Sequence, residues 1–191
     1  MNDSYRFGGW LLQQIINKKL SNTKSLKPIV SENARILILG TMPSEISLKK
    51  GQYYANPKNQ FWKIIYDVFE KKIEDRYEDR IKFIKKHCIA LWDVLKSCER
   101  KGSADSKIQN MILNNCKIFY KKGPNIKSII FNGKKAETLF DKHCEKCENL
   151  QYHCLPSTSS ANIRLTYEKN WNDGRLLNNL LASEKRDHEG R

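Results

Sequence analysis

"ARILILGTMPSEIS", residues 34–47, runs from an unbroken apolar segment through a glycine into a polar loop. Ile36, Leu37, Ile38 and Leu39 are apolar at both parities, so neither face of this strand can meet water. That is the pattern of a central strand in a parallel sheet. Gly40 closes it, and the loop that follows lies where open α/β sheets place their ligands.

Reading outward, strands and helices alternate. "NQFWKIIYDVFEKK" (59–72) predicts a helix with Phe61, Ile64, Ile65 and Val68 on its buried side. "YEDRIKFIKKH" (77–87) continues as helix, and "CIALWDVL" (88–95) is a second strand. "CERKGSADSKIQN" (98–110) reads as a polar loop, and "MILNNCKIFYKKGPN" (111–125) as helix and then turn. "IKSIIFNG" (126–133) is a third strand, "KKAETLFDKHCEK" (134–146) a helix, and "LQYHCLPSTSSANIR" (150–164) a fourth strand entering a loop. "TYEKNWNDGRLLNNLLA" (166–182) closes as a helix. The expected fold is a three-layer α/β/α sandwich around a mostly parallel sheet.

Upstream, "GWLLQQIINKKL" (9–20) sets Leu12, Ile15, Ile16 and Leu20 on one helical face, and "SNTKSLKP" (21–28) reads as a linker. The expected organisation is an N-terminal amphipathic helix and linker over 1–26, one globular domain over 27–182, and a frayed tail over 183–191.

Bulk composition narrows the partner. Of 191 residues, 35 are Lys or Arg and 21 Asp or Glu, giving a net charge of +14. That excess suits a polyanion, and nucleic acid before a membrane surface. The basic residues fall in scattered pairs such as Lys49-Lys50, Lys85-Lys86 and Lys134-Lys135, which fits a folded surface that grips phosphates at several points. With no apolar run of spanning length and no leader, the chain is expected in the cytoplasm, without membrane attachment, as a monomer. Its six cysteines are then expected as thiols.

Three strand-end loops hold residues that simple packing does not require. "GQYYANPKNQFWK" (51–63) combines amides that can orient a water or read a base edge with rings that can stack a planar group. "PSTSS" supplies Ser157, Thr158, Ser159 and Ser160, small hydroxyl residues able to hold phosphates. Ile163 and Arg164 follow as an apolar wedge and a cation beside a distorted duplex. The third loop, "LWDVLKSCERKGSADS", contributes Asp93.

"ILGTMPSEISLKKGQYYANPKNQFWKII" resembles the first motif of the uracil-DNA glycosylase superfamily, most closely its hypoxanthine-DNA glycosylase branch. "LWDVLKSCERKGSADSKI", "IIFNGKKAETLF" and "LPSTSSAN" extend the resemblance over roughly residues 27–177. It implies that Gly40, Met42, Pro43 and Ser44 line a base pocket, that Tyr54 stacks on a flipped base, and that Asn59 is catalytic. It places Ser157 on a phosphate, residues 160–164 in the gap of the duplex, and Asp93 and Asn132 at the base edge or in its network. Two positions depart from many superfamily members: Met42 stands where an Asp or Asn orients water, and Leu155 where a histidine precedes "PS". Both departures belong to the hypoxanthine branch.

The function implied is a monofunctional DNA glycosylase that flips a deaminated base, hypoxanthine or uracil, out of DNA and hydrolyses its N-glycosidic bond. No metal or other cofactor is expected. A glycosylase for modified pyrimidines in phage DNA and a catalytically inactive DNA-binding domain stay open as alternatives. Blander roles compete residue by residue. Asn59 is also placed to cap the helix that follows, Phe61 and Trp62 to pack, and Asp93 to brace its own loop. "HCEKCENLQYHC" (143–154) has a zinc half-site spacing, but alternation along a strand would send His153 and Cys154 to opposite faces.

Overall fold

The computed structural model describes residues 21–160, 177, 179 and 180. Four parallel strands form the central sheet: β2 (Ile36–Gly40), β3 (Ile89–Asp93), β6 (Ser128–Asn132) and β7 (Gln151–Leu155). Their spatial order is β3-β2-β6-β7. The chain therefore leaves β2 toward β3 on one side and later crosses back to start β6 on the other. That reversal puts a crevice at the carboxyl ends of β2 and β6. Ile38 is level with both Leu91 and Ile130, and Gly40 with Asp93, so the strand ends finish nearly flush.

Strand parity separates two cores. Leu37, Leu39, Ala90, Trp92, Ile129 and Phe131 pack with Phe119, Ala136, Leu139 and Phe140 from helices α4 (Cys116–Lys122) and α5 (Lys134–His143). Ile36, Ile38, Ile89, Leu91 and Ile130 pack with Phe61, Trp62, Ile65, Tyr66 and Val68 of α2 (Phe61–Val68) and Ile84 of α3 (Tyr77–Lys86). Because both faces are covered, both parities must be apolar, and the three-layer sandwich expected from the alternation of strands and helices is what forms. Of the closing helix, Leu177, Asn179 and Leu180 are described; all three are helical, and both leucines are buried in the second core.

The structure corrects three expectations. Ser21–Lys24, read as linker, is strand β1, paired antiparallel with β4 (Leu95–Arg100). The polar loop 98–110 instead begins and ends in strand: β4 and β5 (Gln109–Leu113) pair antiparallel, so Met111–Leu113 is not helical. These strands form a small sheet in the order β1-β4-β5, with Leu95 and Cys98 of β4 buried in the first core. Finally, Cys116 and Cys144 are disulfide-bonded, their Cα atoms 5.8 Å apart, although thiols were expected. The start of α4 meets the end of α5 there, a contact that no local pattern announces. Cys88, Cys98, Cys147 and Cys154 are free.

No helix among the described residues is long and apolar enough to cross a membrane. The amphipathic segment 9–20 and the tail 183–191 lie outside the described residues.

Candidate active site

Gly40 ends β2 without a side chain because there is no room for one. A Cβ there would lie 2.7 Å from Asp93 Oδ1 and 3.6 Å from the Tyr54 hydroxyl. Thr41, Met42 and Pro43 continue buried. Ser44 then caps the short helix α1 (Glu45–Lys50), its Oγ accepting from Ser47 N at 3.2 Å. Ser47 Oγ in turn accepts from Ala55 N at 3.2 Å, tying the first loop back on itself.

That loop returns over the strand ends with Tyr54 in a left-handed conformation, φ 54°. The Tyr54 ring stacks on Phe61 with centroids 3.7 Å apart and planes 14° from parallel. Phe61 and Trp62 are buried, and Trp62 Nε1 donates to the Tyr53 carbonyl at 3.1 Å. The two aromatics that open α2 therefore form the base on which Tyr54 is positioned. Burial raises the Tyr54 phenol above its ordinary range, so it stays a neutral hydroxyl near pH 7.

Asn59 precedes this helix. Its Oδ1 accepts from Phe61 N at 2.9 Å, so the capping role is real, although Gln60 occupies the formal cap position. Gln60 N donates to the Thr158 carbonyl at 3.1 Å, which joins the first loop to the last.

Asn132, at the end of β6, holds the last loop from the other side. Its Nδ2 donates to Thr158 Oγ1 at 3.0 Å, and its Oδ1 accepts from Thr158 N at 2.9 Å. Gly133 follows at φ 109° and ψ 149°, and a Cβ there would lie 2.9 Å from Ser157 Cβ. Asn132 thus acts as a two-point clamp on residues 156–160. Asn132→Ala should lower stability by about 1–2 kcal/mol, because it removes both bonds to the half-buried polar groups of Thr158. Urea unfolding measures that loss, and substrate DNA should bind more weakly through the loosened loop.

Asp93 lies at the end of β3 and is buried, with Ser25 Oγ donating to its Oδ2 at 2.7 Å. Burial lifts its carboxyl to about 7, against the opposing pull of hydrogen bonds from Ser25 and Tyr53 and the Arg100 charge. Arg100 is itself 1% exposed. Its guanidinium donates to the Pro43 carbonyl and lies 3.9 Å from the Asp105 carboxylate. Burial also raises Asp105, with Thr41 and Arg100 acting the other way.

These loops enclose one cavity of about 490 Å³. It is lined by Gly40, Met42, Pro43, Ser44, Tyr54, Asn59, Asp93 and Asn132, and by Ser157, Thr158, Ser159 and Ser160. Every candidate residue from the sequence that is described therefore converges on it; Ile163 and Arg164 lie outside the described residues. Such a volume falls within the roughly 300–1,000 Å³ typical of small-ligand sites. Sequence reasoning missed Thr41, Ser47, Tyr53, Asn56, Ser103, Asp105 and Lys134, which share the lining. Lys134 was findable, since it follows the strand-ending pair Asn132-Gly133; Asp105 had no local signal. Among the described residues no three His, Cys, Asp or Glu side chains gather as a metal site.

Comparison with known proteins adds independent support. The family model described as Uracil DNA glycosylase superfamily matches residues 28–181. The chain is 38% identical over 141 residues to a hypoxanthine DNA glycosylase of Methanosarcina acetivorans, covering 72% of this chain and 87% of the relative. It is 38% identical over 110 residues to the hypoxanthine DNA glycosylase of Methanosarcina barkeri, covering 57% and 70% respectively. The solution NMR structure of a candidate uracil DNA glycosylase from M. acetivorans superposes with a TM-score of 0.72 at 34% identity. That match covers 84% of this chain and 99% of the other.

Proposed function

We infer, for a chain that belongs to the Uracil DNA glycosylase superfamily and is a DNA glycosylase, that its substrate is a deaminated base in DNA. Hypoxanthine is the leading candidate and uracil the next. The observation that carries this reading is the convergence of Tyr54, Asn59 and the 157–160 loop on a single cavity at the sheet's reversal point. Relatives named for hypoxanthine at 38% identity favour the purine.

Hydrolysis of an N-glycosidic bond builds positive charge on the sugar and negative charge on the base. Bound DNA phosphates stabilise the first, and fixed donors in the pocket the second. Residues 157–160 hold the backbone phosphates next to the extruded nucleotide, and the scattered lysines extend the grip. Extrusion costs a few kcal/mol, which stacking against Tyr54 offsets.

Asn59 holds the attacking water. A carbonyl oxygen has two lone pairs, and Phe61 N–H takes one on Oδ1. The other lone pair and the amide N–H groups serve the water, so capping and catalysis share one side chain. Met42 cannot do this, since a thioether is a poor partner for water. An amide does not titrate near neutral pH, so Asn59 acts by placement and not as a base. The protein works as a monomer on DNA in the cytoplasm and needs no metal.

The test is a panel of duplex and single-stranded oligonucleotides carrying inosine, uracil, a T·G pair, xanthine or a bulky modified cytosine. After incubation, alkali converts each abasic site into a strand break. Scission at inosine ahead of the others is the expected result. Scission only at the modified cytosine would replace the substrate assignment, and scission at none would remove it.

A further inference from the structure

We propose that Asp93 is the acid of the reaction, donating a proton from Oδ1 to the departing base, with Ser25 holding the carboxyl in the orientation that makes this possible. The proposal rests on the glycosylase reading above and supplies something that reading lacks. The position before "PS", where a histidine would serve the leaving base, is Leu155, which has no donor.

The geometry selects Asp93 among the cavity's ionisable groups, which are Tyr53, Tyr54, Asp93, Asp105 and Lys134. Lys134 sits on the rim, 81% exposed and paired with Glu137. Asp105 is 41% exposed beside Arg100 and faces a permanent cation. Tyr53 and Tyr54 are raised well away from neutrality by burial and bind their protons too tightly. Among the described residues, Asp93 alone is a buried carboxyl at a strand end on the crevice.

Its two oxygens are not equivalent. Ser25 Oγ donates to Oδ2 at 2.7 Å, so Oδ2 is engaged and the transferable proton is assigned to the other oxygen. The proton then belongs on Oδ1, the oxygen that lies 2.7 Å from where a Gly40 Cβ would be. Glycine keeps that path into the cavity open. Facing the carboxyl are Ser25 after β1, Tyr53 and Tyr54 from the first loop, Arg100 on β4, and Asp105 in the short turn after it. Burial outweighs the hydroxyls and the guanidinium and leaves the group titrating at about 7.

The step balances simply. The bond between C1′ and the base nitrogen breaks and its electron pair stays with the base. The Asp93 proton moves onto the base, and the base leaves neutral. Water adds its oxygen to C1′, and its spare proton returns through solvent to the Asp93 carboxylate. No other reactant is consumed.

The experiment is single-turnover base release from inosine and uracil DNA between pH 5.5 and 9 for the whole protein, Asp93→Asn and Ser25→Ala. The wild-type rate should be flat at low pH and fall about tenfold per unit above roughly 7, because only the protonated carboxyl donates. Asp93→Asn should be slower by about 100-fold at pH 6 and lose this limb, since an amide does not titrate. Ser25→Ala, which removes a hydrogen bond favouring the carboxylate, should move the limb to higher pH while circular dichroism and DNA binding stay unchanged. A structural role alone moves none of these limbs. Stability gives a second readout. A carboxyl raised from about 3.8 to about 7 by folding loses stability as pH climbs through that interval, so Asp93→Asn should melt higher than wild type at pH 8. An active wild type whose limb persists in Asp93→Asn overturns the proposal. A wild type that releases neither base overturns the underlying substrate reading instead.

Discussion

Asn59→Ala is expected to reduce single-turnover base release by about 100-fold or more, while affinity for the substrate duplex is kept. The reason is local: the side chain lines the cavity and has donor and acceptor capacity beyond its bond to Phe61 N–H. Loss of the cap complicates the reading, because an unpaired Phe61 N–H costs about 0.5–2 kcal/mol of stability. Asn59→Asp separates the two roles. A carboxylate accepts the same N–H bond, so the helix start survives while the amide donors are gone. If Asn59→Asp matches wild-type stability but releases base at an altered rate, the activity belongs to the amide and not to the cap. Wild-type rates in Asn59→Ala would remove the assignment altogether.

Gly133→Ala should be the most damaging single methyl in the fold's working edge. The residue sits at φ 109°, a conformation that costs an L-residue about 1–3 kcal/mol. The new Cβ also lies 2.9 Å from Ser157 Cβ, so the last loop must move. Together these predict a loss on the order of 2–4 kcal/mol, and a melting point lower by roughly 5–15 °C. Base release should fall further than stability explains, since the displaced loop carries Ser157 and Thr158. Gly51→Ala is the control: φ is 64°, but nothing lies within 4 Å of the added Cβ. It should cost only about 1 kcal/mol and leave the rate intact.

The comparison of these two glycines shows where local reading stops. Gly51 follows a helix and Gly133 precedes one, both at positive φ. Only the approach of Ser157, 24 positions further along, makes one of them sensitive. Asn59 and Asp93 behave alike in this respect. Each has an evident local role, as a cap or as a loop brace, and each lines the cavity because distant segments meet there, Asp93 with a bonded partner far off in the chain. For Asp93 that partner is Ser25, 68 positions away, in a stretch read as linker.

Residues 34–40 by themselves marked a central strand, because a strand apolar at both parities has to be covered on both faces. The alternation of such strands with amphipathic helices determined the layers, and the loop residues pointed to the edge of the sheet where the cavity lies. Tertiary structure decided what backbone pairing and long-range contact control: strands β1 and β5, the Cys116–Cys144 bond, and the two-sided clamp on Thr158. Burial patterns are written residue by residue, so they can be read from one segment. Pairing energy depends on which segment arrives alongside, and that information is held in two places of the chain at once.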